Sequence, residues 1–161
     1  MSDTLMLPIA HIEARNLIDL IDQFTDLLDD PDAHADPGVQ RLTPILYPDD
    51  IAASDAFAAL TSDDLRGRRK TDAHAVRASL SAAVTHPLEE GHELVPVDLE
   101  IDAAGLDSWM RTLTALRLVI AERLGIQTDT DHDPDDPRFG VYDWLGYRLE
   151  TLLDAAEEAG I

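Results

Sequence analysis

Asp129, Asp131, Asp133 and Asp135 alternate in the stretch TDTDHDPDDP, residues 128–137. A D-x-D-x-D run is how a calcium loop begins, because carboxylates two residues apart can converge on one hard cation. Such a loop also turns sharply at its sixth position, carries an apolar anchor at its eighth and supplies a bidentate carboxylate at its twelfth. Counted from Asp129, those positions hold Pro134, Asp136 and Gly140. Three requirements fail together. The stretch reads as an acidic spacer held extended by Pro134, Pro137 and its own repulsion, able to gather divalent cations only weakly.

Other chemistry-bearing groups are His86, Glu89, Glu90 and His92, metal-ligand types packed into HPLEEGH. A loop containing Pro and Gly fixes no coordination geometry, and bland loop polarity is the favoured reading. Arg66, Arg69, Lys70 and Arg77 belong to the one basic stretch, where Arg66, Lys70 and Arg77 share a helix face. They form either a docking stripe for an acidic partner or phosphate, or a solvated face compensated internally by Asp63 and Asp64; such runs are usually the latter. Phe139, Tyr142, Trp144 and Tyr147 concentrate half of the eight aromatics in one segment. Trp144 and Tyr147 stand partly off the core stripe, as a recognition patch or as a cap over the core edge. Arg117 lies within the most apolar helix and calls for a structural partner or a stem that snorkels to water. No Gly-rich phosphate loop, G-x-S-x-G, H-E-x-x-H or Cys–His pair is present, and the residues propose neither an active site nor a cofactor.

The elements that must position these groups are mainly helical. A chain of 161 residues makes one domain and buries roughly 70% of its unfolded surface. Apolar residues at threes and fours predict helices over 9–29, 61–84, 103–124 and 140–159, with a shorter one over 49–60. Pro8 starts the first, a Thr61–Asp64 capping box the second, and Asp102 the one ended by Gly125. Residues 94–101 alternate strictly, with Val95, Val97, Leu99 and Ile101 on one face, and predict a strand that Pro96 confines to an edge. Residues 41–47, RLTPILY, read as a second, irregular extended piece. The expected fold is mainly α: a single-domain bundle over 1–161, with four to five helices and one or two short edge β-strands. Residues 30–40 and 127–138 form acidic flexible loops.

Thirty-three acids against twelve bases leave a formal charge of −21. Binding to nucleic acid is driven by Lys and Arg on phosphate, so this field opposes direct DNA or RNA contact, and anionic membranes equally. No cysteine is present, which removes disulfides, thiolate metal sites and a cysteine nucleophile. With no signal-like N-terminus and no long apolar run, the expected location is cytoplasmic.

LTPILYPDD, LTSDDLRGRRK, LDSWMRTLTALRLVIAERLGI and YDWLGYRLETLL together resemble an actinobacterial family, domain of unknown function 2017, named for the oxidative-stress regulator AosR. The similarity runs from Leu42 to Leu153 and is most specific at Trp109, Leu116-Arg-Leu118 and Tyr142-x-Trp144-Leu145. The resemblance implies a non-enzymatic cytoplasmic transcription regulator that contacts a sigma factor or polymerase, with a homodimer left open. Its gene neighbourhood implies an alternative, a scaffold or adaptor for ClpS-linked proteolysis. Direct thiol sensing does not carry over, because the chain has no cysteine. The residues assigned to partner contact are Arg66, Arg69, Lys70, Arg77, Trp144 and Tyr147.

Overall fold

Leu5, Leu7 and Ile9 alternate with Met6 and Pro8, and this period of two makes Thr4–Ala10 a strand, β1. The computed structural model describes residues 3–42, 49–85, 89–127 and 132–161, with the backbone alone at positions 54, 55, 58 and 59. A helix beginning at Pro8 was the expectation from sequence, and it fails at its first turn. Ile9 fits both a helical spacing with Ile12 and a strand spacing with Leu7. Pairing decides between them: Ile9 is buried opposite Val97, and Ile12 is left 43% exposed.

β2, Pro96–Asp102, runs antiparallel to β1 with Leu7 opposite Leu99 and Pro8 opposite Asp98. The expected strand is thus present, shifted slightly toward Asp102. Leu99 and Ile101 are buried on its inner face as the alternation predicts, but Val97 is 44% exposed and Val95, just before the strand, 51%.

Helix α1, His11–Asp29, buries Ala14, Leu17, Ile21, Phe24 and Leu28 and turns Asp19 and Asp26 outward. Residues 30–40, expected as a loop, instead carry a 3-10 turn at Ala33–Ala35 and a short helix, α2, Pro37–Gln40. Asp36 caps α2 by accepting from the Gly38 and Val39 N–H groups at 2.8 and 3.1 Å, and Ala33 and Val39 join the core. Arg41 and Leu42 lie in a turn rather than a strand; the rest of the expected extended piece falls outside the described residues.

The two helices expected over 49–60 and 61–84 are one, α3, Ile51–Val84. Asp50 caps it, accepting from the Ala53 N–H at 3.0 Å. The Thr61 hydroxyl donates to the Phe57 carbonyl at 2.9 Å, four residues back, and so does not cap. Five alanines among residues 51–59, the best helix formers, carry the helix through the capping-box sequence. α4, Ala103–Leu124, and α5, Gly140–Ala159, match their expected bounds. Asp102 caps α4 at the Gly105 N–H, 2.7 Å, and Gly125 ends it at φ +74°, a conformation side chains rarely adopt.

The core gathers Leu7 and Leu99 from the sheet, Leu17 and Ile21 from α1, Val76 and Leu80 from α3, Trp109 and Leu113 from α4, and Leu145 and Leu152 from α5. The molecule is a mainly α bundle with a two-stranded sheet. Among the described residues, no helix is long and apolar enough to cross a membrane.

Candidate docking cleft

A two-stranded sheet has two outer edges, and here they are treated differently. α5 closes the β1 edge. Arg148, buried, donates to the Pro8 carbonyl at 2.9 Å and to the Glu13 carboxylate through Nε at 3.0 Å and through a second, short contact. The same carboxylate accepts the Trp144 indole N–H at 3.0 Å. Burial would raise the Glu13 pKa, but the bonds from Arg148 and Trp144 outweigh it and hold the group below its ordinary value.

These contacts also orient the ladder. In an antiparallel pair, alternate residues turn both backbone groups toward the partner strand or both away. The Pro8 carbonyl points away from β2 to reach Arg148 on α5, so its opposite, Asp98, points away from β1, and Pro96, two residues earlier, does likewise. Glu100, opposite Met6, follows by the same alternation. Both strand prolines therefore occupy positions where no ladder bond is lost.

The described residues leave the β2 edge open. Among the described residues, no hydrogen bond from beyond the ladder reaches the main chain of Asp98 or Glu100. Beside it lies a cleft of about 740 Å³, between β2 and the last turns of α3, lined by Val95, Val97 and Leu99 on one side and Ala82 and Ala83 on the other, with Glu89, His92, Asp98 and Glu100 also on its walls. No residue of β1 lines it. His11 closes one part, its Nδ1 buried without a hydrogen-bond partner among the described residues. Glu89, Glu90, Glu93, Asp98, Glu100 and Asp102 are all exposed around this edge, and residues 89–102 contain no Lys or Arg. Leu94 is 73% exposed in the same segment. Among the described residues, the arrangement joins apolar surface, unpaired backbone and a rim of acids without Lys or Arg.

The residues assigned to partner contact from sequence are differently employed. Lys70 reaches Asp29 at 2.6 Å, Arg77 grips Asp22 at 2.7 and 3.3 Å, and both bonds tie α3 to α1. Arg66 pairs with Asp63, the internal compensation anticipated from spacing. Arg69 donates to the Leu42 carbonyl at 2.8 Å, and burial lowers its pKa. Trp144 spends its N–H on Glu13, while Tyr147 stays 58% exposed. The structure thus sets these six in two separate groups, with the cationic heads already engaged. Arg117 finds a structural partner in Tyr142: its guanidinium lies 4.0 Å over the Tyr142 ring and donates to the Tyr142 carbonyl at 3.2 Å. Gly146 makes the space, since a Cβ there would stand 2.9 Å from Arg117.

Of the proposed ion-binding groups, His86, Asp129 and Asp131 lie outside the described residues. Asp133 accepts from the Asp135 N–H at 2.9 Å, and His132 lies 2.7 Å from Asp143. Among the described residues, no three His, Asp or Glu side chains converge as metal ligands. Over residues 1–156 the chain matches the model of a family described as a domain of unknown function, DUF2017. The chain belongs to the DUF2017 family. Neither a curated protein nor a solved structure matches it. The match takes in β1, which the sequence resemblance from Leu42 onward left out, so both strands of the sheet belong to the DUF2017 domain.

Three carboxylates that join distant elements couple the DUF2017 fold to pH, beside Asp136, which its neighbour Arg138 holds low. Hydrogen bonds from Arg111 hold Asp72 below its ordinary pKa, those from Arg123 do so for Asp36, and Glu13 is lowered as described. A carboxylate whose folded-state pKa is depressed stabilises the fold above its unfolded value and loses that contribution as pH falls through the folded one. Stability is expected to be level in these terms above about pH 5 and to decline below about pH 4. Thermal melts from acid to neutral pH should show the decline, and a D36N/D72N variant should show a shallower one. Identical slopes would contradict the assignment.

Proposed function

We propose that this chain is a non-enzymatic regulatory protein that docks a basic protein surface. The family resemblance points to a sigma factor or RNA polymerase as the partner, in a cytoplasmic response to oxidants. What supports the reading is the acid-rimmed cleft along β2, where exposed Leu94, Val95 and Val97 sit among six acids and no base. Elsewhere the chain neutralises its own cations: Arg41, Arg66, Lys70, Arg77, Arg111, Arg123, Arg138 and Arg148 are each paired with an acid of the same chain. The negative excess is therefore what a partner meets. Such a field accelerates encounter with a basic surface and repels phosphate. With no cysteine, the oxidant signal reaches this protein through its partner's state rather than through its own thiols.

The test is a biosensor measurement of the purified chain against purified polymerase core, a sigma factor and a promoter fragment at low and raised salt. Association with a protein component, its on-rate falling steeply with salt, supports the reading. Binding to the promoter fragment alone at physiological salt, or a salt-independent on-rate, sinks it.

A further inference from the structure

We propose that the open edge of β2 accepts an extended basic segment of the partner as a third strand. The inference deepens the docking function above and rests on it, adding how the contact is made. An exposed strand edge is a row of unpaired donors and acceptors, and native proteins ordinarily cover it or blunt it. This molecule covers the β1 edge through α5, with Arg148 on the Pro8 carbonyl. At the other edge, the N–H and C=O groups of Asp98 and Glu100 and the Pro96 carbonyl face outward with no described partner.

The flanking side chains say what the incoming strand must look like. Asp98 and Glu100 alternate with Val97 and Leu99, so the two pairs lie on opposite faces of β2; Leu99 is buried, and all four border the cleft beside α3. Successive side chains of an added strand alternate between those same two faces. One set would stand beside Asp98 and Glu100 and carry Lys or Arg. The other would enter the cleft against Val97, Leu99, Ala82 and Ala83 and be apolar. Main-chain bonds supply affinity and this two-sided pattern supplies selection, the division of labour found wherever a peptide extends a sheet. The acids also keep a second copy of the same chain away, because two such edges would bring Asp98 and Glu100 against their equivalents. The occupant is a basic strand of another protein.

The experiment holds the full chain constant and changes only the peptide. The probe is a blocked eight-residue peptide alternating lysine and valine, followed by fluorescence anisotropy at low salt. Two derivatives carry N-methyl groups on alternate residues, one on the lysines and one on the valines. Each keeps its side chains but loses the N–H donors on one edge. A strand on β2 turns only one edge toward Asp98 and Glu100, so one derivative is expected to bind at least about tenfold more weakly and the other within about twofold of the parent. Equal behaviour of the two derivatives overturns the strand pairing. The docking function survives that result if binding still falls with salt. Failure of all three peptides to bind at low salt overturns both.

Discussion

Replacing Arg148 with Met is expected to lower the unfolding free energy by about 3 kcal/mol. Arg148 is buried at 8% exposure, and its guanidinium serves both the Glu13 carboxylate and the Pro8 carbonyl. Methionine fills much the same volume, so the loss is electrostatic rather than a cavity. Breaking a buried pair by removing one partner costs about 3–5 kcal/mol. The Glu13 side chain keeps 28% of its surface in water, which can repair part of the damage, and the lower end applies. In a protein of this size the change corresponds to a fall in Tm of roughly 10 °C. Adding Glu13→Gln should return part of that stability, because the stranded charge disappears; residues in one network are not additive. Urea unfolding with an unchanged slope measures both. A loss under about 1 kcal/mol would mean that α5 is held on β1 by apolar packing alone.

Reversing charge at the open edge should weaken docking without touching the fold. Asp98 and Glu100 are exposed, so D98K/E100K removes no described contact. Each reversal adds two charges and the net charge moves from −21 to −17. Affinity for the alternating lysine–valine peptide is expected to fall on the order of 10- to 100-fold, most of it in the on-rate. D154K/E157K on the exposed face of α5 makes the same net change away from the cleft and should cost only a few-fold. Equal losses from the two variants would show that total charge, not the β2 edge, attracts the partner.

Much of this scaffold was legible in the sequence. α4 and α5 have strong apolar stripes with clear stops, and Asp102 and Gly125 act at the ends where their chemistry puts them. The misreadings occurred where two local patterns competed. Ile9 satisfies a helix and a strand equally, and only its long-range pairing with Val97 separates them. Thr61-Ser-Asp-Asp64 has the composition of a cap, but the alanines before it carry the helix onward. The docking site proposed at β2 was less legible, because it depends on what the sheet leaves unpaired. Seeing an open edge at β2 requires knowing that β1 exists and that Arg148 closes its far side, a contact spanning 140 positions. The basic stretch stands out in the sequence because cations are scarce here, and the same excess of acids takes up Lys70 at Asp29 and Arg77 at Asp22. The informative signal lay in the run EEGHELVPVDLEID, where apolar residues and acids alternate with no base.

Residue-resolved amide exchange of the full chain, with and without the lysine–valine peptide, tests most directly whether the β2 edge is the docking surface. The Asp98 and Glu100 amides should exchange readily in the free chain and become protected when the peptide binds, while neighbouring Leu99 is already slow through its pairing with Leu7. Protection that appears instead along Arg66–Arg77 or at Trp144–Tyr147, or Asp98 and Glu100 amides already protected in the free chain, would contradict the account.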